Sequence, residues 1–149
     1  MVIKVKHIKG RHYCNLSSLL KLYYVSLFRQ YNTLEIHFSD KSKYDLKDGD
    51  QWDWNKIIGR GGLKYNRGER KTEQFLVWRY NIKDNQFEVT EYWRQDYKFD
   101  YTRKLKITDG SKPIVTDISF AYSFLPLGGY FGGNEVAPND LEYKIIVRK

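Results

Sequence analysis

An antiparallel β-sandwich or jelly roll with one helix near its start is the fold this sequence predicts, and three observations predict it. Short segments alternate apolar and polar residues at period two, the pattern of half-buried strands. Turn signals recur between them, at Lys83-Asp84-Asn85, Asp109-Gly110 and Pro138-Asn139-Asp140. Aromatic residues make up 17% of the chain, with 13 Tyr and 4 Trp, residues that suit pleated surfaces.

Val2, Ile3, Val5 and Ile8 interleave with Lys4, Lys6 and Lys9 as a first strand, which Gly10 ends. Leu16, Leu19, Leu20, Tyr23, Tyr24, Leu27, Phe28 and Tyr31 then recur at helical spacing, with Asn15 placed as the cap. That stripe is expected to be the buried face, with Leu22 and Val25 off it. From Thr33 the period returns to two, and strands are predicted at Leu34–Phe38, Gln74–Tyr80, Gln86–Trp93, Tyr101–Thr108, Ile114–Tyr122 and Leu141–Val147. Asp109-Gly110 reads as a hairpin turn with a longer loop. At 149 residues, with no Pro/Ser-rich linker and no repeat, the chain reads as a single domain spanning 1–149.

The chemistry-bearing residues fall in two stretches between the strands. In Asp50-Gln-Trp-Asp-Trp-Asn-Lys-Ile-Ile-Gly59, Asp50 is expected to cap a short helical turn that Gly59 stops. Arg60, Lys64, Arg67, Arg70 and Lys71 follow, spaced by Gly61, Gly62 and Gly68, with Glu69 among them. Fixed cations and exposed peptide N–H groups act on one concentrated negative charge, so this loop reads as a phosphate cradle, although no P-loop sequence closes it. Trp52 and Trp54 would stack on a base, beside Asn55 and Lys56. In the second stretch, two Gly-Gly pairs flank Tyr130-Phe131 and lead to Asn134-Glu135. The aromatics there are expected to be pinned inward, with Tyr130, Asn134 and Glu135 also placed where jelly rolls hold ligands.

Asp50-Gln-Trp-Asp-Trp-Asn-Lys-Ile-Ile-Gly59, Val77-Trp-Arg-Tyr-Asn81 and Gly129-Tyr-Phe-Gly-Gly-Asn-Glu-Val-Ala-Pro-Asn-Asp140 together resemble a group of small proteins from Bacteroidetes-type bacteria and their mobile elements. The resemblance covers roughly residues 33–149 and implies a single-domain jelly roll, without implying an activity. Members of that group carry a His-rich stretch where this chain has Gly61-Gly-Leu-Lys-Tyr-Asn-Arg67, so no shared histidine chemistry is expected.

Catalytic sets do not assemble on paper. His7, His12 and His37 lack metal-ligand spacing, and no metal or other cofactor is expected. Cys14, the one cysteine, excludes an internal disulfide and stands near His12 as a thiol–base pair would. Asp50, Asp53, Glu88, Glu91 and Glu135 are the carboxylates available for acid–base work, with nothing to fix their separation. The net charge of +8 favours an anionic partner. The leading expectation is therefore a non-enzymatic binder of a small anion such as a nucleotide or cyclic nucleotide signal, acting as a phage or mobile-element sequestering protein. A carbohydrate-binding jelly roll ranks next, and a protein or nucleic-acid interaction module after it. The first residues lack a signal-peptide core, so a cytoplasmic setting without a membrane partner is expected.

Overall fold

The computed structural model describes residues 1–28, 31–61, 72–95, 98–119, 125–132 and 134–148. Its elements run β1 (Val2–His7), α1 (Leu16–Phe28), β2 (Tyr31–His37), β3 (Asn55–Gly61), β4 (Thr72–Asn81), β5 (Gln86–Gln95), β6 (Lys98–Thr108), β7 (Ile114–Ser119), β8 (Leu125–Tyr130) and β9 (Leu141–Arg148). Two antiparallel sheets result, ordered β1-β9-β2-β7 and β6-β5-β4-β3-β8.

That order is informative. A jelly roll winds eight strands as two Greek keys into sheets whose chain positions read one-eight-three-six and two-seven-four-five. Here β1-β9-β2-β7 fills the first sheet, and β8-β3-β4 fills the second from position seven to five. Position two is taken by α1, which packs against β8. The β5–β6 hairpin is an addition that widens the second sheet. The predicted sandwich with one helix is therefore the observed fold.

Alternation explains how the strands lie. On β1, Ile3, Val5 and His7 are buried while Val2, Lys4 and Lys6 face out. On β9, Leu141, Tyr143, Ile145 and Val147 are buried in the same way. Between the sheets the core centres on Trp78, fully buried with Phe38, Tyr143 and Tyr44 at ring distances of 5.1, 5.2 and 5.7 Å.

Five local expectations are corrected, two of them on α1. On α1 the buried residues are Ser18, Leu22 and Val25, whereas Leu16, Leu20 and Tyr24 are exposed. The helix is apolar round most of its circumference, and the side carrying Ser18, Leu22 and Val25 is the one that seats on the strands. Ser18 makes this possible by donating its hydroxyl to the Lys4 carbonyl of β1. Asn15 opens the helix with its carbonyl, which accepts from Leu19 N at 3.0 Å, but its side-chain Oδ1 accepts from Lys6 N at 3.0 Å instead of capping a helical N–H.

The other three lie in loops and crossovers. The turn after Leu46 is a 3₁₀ turn, Gly49–Trp52, capped by Asp48, whose side chain accepts from Asp50 N. It stops at Trp52, and Asn55–Gly61 continues as strand β3. Gly128 and Gly129, read as loop glycines, lie within β8, which pairs with β3. Finally, Asp109-Gly110 does not close a hairpin: β6 belongs to one sheet and β7 pairs with β2 in the other, so the turn carries the chain between layers. The predicted strand to Tyr122 ends in the described residues at Ser119, and residues 120–124 lie outside them.

Candidate functional site

The second sheet buries side chains on both faces. Leu76, Trp78 and Tyr80 of β4 point into the sandwich, while Phe75 and Val77 point out and join Tyr92 of β5 in a separate apolar cluster that Trp54 packs against. Arg79, next outward on β4, organises the indoles beside it. Its Nε donates to Glu88 Oε1 at 2.7 Å and one terminal nitrogen donates to the Trp52 carbonyl at 3.0 Å. The guanidinium carbon thereby stands 4.0 Å from the Trp54 ring centre and 5.5 Å from that of Trp52, a cation–π arrangement. Burial pushes the Glu88 carboxyl up, but hydrogen bonds from Arg79 and Asn81 outweigh it and the net shift is downward. Glu88 therefore remains an anion that holds Arg79 against both tryptophans.

Two clefts open on this face and share Lys56 and Gly132. One, of about 460 Å³, is lined by Trp52, Asp53, Trp54, Lys56, Val77 and Tyr92. The other, of about 440 Å³, is lined by Tyr13, Lys56, Phe75, Tyr130 and Asn134. Lys56 stands where they meet, its ammonium 5.2 Å from the Phe75 ring centre and 5.6 Å from that of Tyr130. Tyr130 is itself stacked on His12 at 4.7 Å with the rings nearly parallel. The result is a groove with indole and phenol walls and three different polar groups: an amine, a carboxylate and an amide.

Of the residues singled out in the sequence, Trp52, Trp54, Lys56, Tyr130 and Asn134 converge on this groove. Tyr130 is turned to the cleft, while its neighbour Phe131 is the inward aromatic, fully buried. Asn55 is corrected. It is 1% exposed, its Nδ2 donates to Tyr44 Oη at 2.9 Å and its Oδ1 accepts from Gly132 N at 2.6 Å. It fixes the corner beneath the groove and has no route to a ligand. That corner also needs glycine at 132, where φ is +69° and a Cβ would run into the Glu135 carbonyl. Glu135 sits apart with Asp48 and Asp50, their carboxylate oxygens all within 4.8 Å of one another. Such a set has the hard oxygen chemistry that a divalent cation takes. Arg60 is placed by its backbone in β3, paired with Gln74 and Pro126. Lys64 and Arg67, and with them most of the expected phosphate cradle, lie outside the described residues.

Sequence reasoning missed Asp53, Phe75, Tyr92 and Tyr13 as groove residues, and Arg79 as the group that holds the two indoles. Burial raises the Asp53 carboxyl above its ordinary value, and Asp50 and Asp48 add to the shift. The signal for Phe75 and Tyr92 was available: they are apolar outward positions of strands whose inward positions are also apolar.

The thiol–base and histidine pairings do not form among the described residues. Cys14 is buried, burial pushes its thiol up to about 11, and Sγ points to the Asn15 carbonyl at 3.6 Å. His12 Nδ1 lies 2.9 Å from the Phe131 carbonyl, His37 pairs with Glu35 at 2.8 Å, and His7 is in the core. A protonated thiol without a base is a poor nucleophile.

Comparison with family models, with curated proteins and with solved structures finds no match to this chain. Among the described residues no helix is long and apolar enough to cross a membrane.

Proposed function

We propose that this chain is a non-enzymatic binding protein that takes a saccharide, acidic sugars foremost, in the groove on the outer face of its five-stranded sheet. The observation that carries the reading is the meeting of two aromatic-walled clefts at Lys56. Pyranose rings present flat C–H faces to indole and phenol rings, while hydroxyls seek both donors and acceptors. Asp53 offers an acceptor, Asn134 both, and Lys56 a cation suited to a sugar carboxylate. Tyr13, 52% exposed, and Trp52, 40% exposed, are the walls most open to a ligand.

The second reading is a nucleotide-like anion, with the base on Trp52 or Tyr130 and phosphate on Lys56. The ammonium between two rings favours it. Asp53 in the same cleft, with Asp48 and Asp50 near enough to shift it, opposes a phosphate of nearly two charges more strongly than the single charge of a sugar carboxylate.

Titration calorimetry against neutral oligosaccharides, uronate oligosaccharides and nucleotides separates the two. A stacking contact contributes about 0.5–1.5 kcal/mol beyond the area it buries, so Trp52→Ala is expected to weaken sugar binding roughly tenfold. Lys56→Gln is expected to remove the preference for uronates over neutral sugars. Nucleotide binding that Lys56→Gln abolishes, with no sugar bound, replaces the first reading by the second. Silence across the panel overturns both.

A further inference from the structure

We propose that the exposed side of α1, together with the lysines beside it, is a docking surface for an anionic lipid bilayer. This inference is independent of the groove, with which the surface shares no lining residue. Leu16, Leu20 and Tyr24 recur every four residues along α1 and are 69%, 58% and 47% exposed. A helix seated on its own sheet normally turns polar residues outward, and here the outward row is apolar.

Charge lies along one flank of that row. Lys4 and Lys6 of β1 and Lys21 of α1 line a cleft of about 370 Å³ with Asn15, Ser17 and Ser18. Helix α1 contains neither Asp nor Glu, and its N-terminal end, which carries the positive pole of the helix dipole, opens at this cleft. Across the strand pair, Lys144 lies opposite Lys4, and Glu142, opposite Lys6, is the one carboxylate in that register. An apolar row edged by ammonium groups matches the headgroup boundary of an anionic membrane, where acyl chains take the leucines and lipid phosphates the lysines.

Two other occupants fit less well. A second copy would bring two chains of net charge +8 together along their lysine-edged faces. A protein partner needs a preformed groove for this ridge, whereas a bilayer deforms around it. With 13 residues α1 is too short to span a membrane and would lie in its plane.

Co-sedimentation tests this with vesicles of phosphatidylcholine alone and of equimolar phosphatidylcholine and phosphatidylserine. The chain is expected to pellet with the mixed vesicles, to stay in solution with the neutral ones, and to be released as salt rises. Leu16→Glu combined with Leu20→Glu, and separately Lys4→Gln, Lys6→Gln and Lys21→Gln combined, are each expected to weaken that binding at least about tenfold with an unchanged melting temperature. No pelleting with mixed vesicles overturns the proposal, as does equal pelleting with both kinds or binding that neither variant weakens. Leucine-dependent dimers in sedimentation, without vesicle binding, overturn it in favour of a second copy.

Discussion

On the four-stranded sheet, β9 buries Leu141, Tyr143, Ile145 and Val147 and turns the residues between them outward into partial solvent. On the five-stranded sheet, β4 buries Phe75, Leu76, Val77 and Trp78 in unbroken succession. The first pattern belongs to a sheet with one wet face, the second to a sheet covered on both. What covers the outer face of β4 includes Trp54, with Arg79 against it, and this is where the groove lies. A run of apolar residues in an antiparallel strand therefore marks more than a core: it marks the face on which a second apolar layer has been built.

Four measurements sharpen or break that contrast. The largest effect is expected at the inner layer. Trp78→Ala empties the centre of the aromatic core and should cost about 3–5 kcal/mol in denaturant unfolding, against markedly less for Val77→Ala in the smaller outer cluster. Equal costs would make the outer cluster a second core and remove the basis for calling it a binding face.

The next effect comes from acid. Burial lowers the His7 imidazole to about 4 from an ordinary 6.5, the nearby His12 backbone offsetting only part of the shift. Above pH 6.5 the ring is neutral in both the folded and unfolded chain, so it contributes no pH dependence there. Between pH 6.5 and 4 the unfolded chain takes up the proton first, so stability falls with pH, by about 3 kcal/mol in all. His7→Gln should flatten this part of the stability profile. An unaltered slope would mean that the interior of the sandwich admits water to His7.

Arg79→Ala comes third. It leaves the nearly buried Glu88 carboxylate without its guanidinium and is expected to cost about 1–3 kcal/mol. It should also release the Trp52 and Trp54 rings, seen as a change in tryptophan fluorescence and a loss of groove affinity. A stability loss without either optical or binding change would reduce Arg79 to a structural ion pair. The smallest effect is expected at Leu20→Asp, within about 0.5 kcal/mol, because Leu20 is 58% exposed. A loss of several kcal/mol would place the helix stripe back in the core.

The strands with one wet face were legible because alternation is a direct imprint of the pleat, as on β1 and β9. The glycine-rich strands β3 and β8 were not. Glycine reads as loop, yet in β8 it marks close packing: a Cβ on Gly128 would come within 2.5 Å of the Ile57 carbonyl, and one on Gly129 within 2.5 Å of Cys14 Sγ. The helix was legible as a helix but not in its orientation, since apolar residues on nearly every side leave the period without a phase. At the site, aromatic and cationic residues in a loop announced Trp52, Trp54 and Lys56. Arg79 was hidden inside a strand, where its outward direction depends on a register that only pairing with β5 supplies.

The replacement of a strand by α1 has a consequence for how such molecules stick to one another. An edge strand offers a row of unpaired peptide groups onto which another chain can add. At the Tyr130 end of β8 that row is engaged from within: Cys14 N donates to the Gly129 carbonyl at 2.8 Å, Phe131 N donates to the His12 carbonyl at 2.7 Å, and α1 packs against the strand. A helix has no spare backbone groups along its side, so where α1 and the Cys14 segment cover β8 another strand has no row to add to. Fibrillar growth by backbone addition is closed off there, and contacts on that side must be made by side chains.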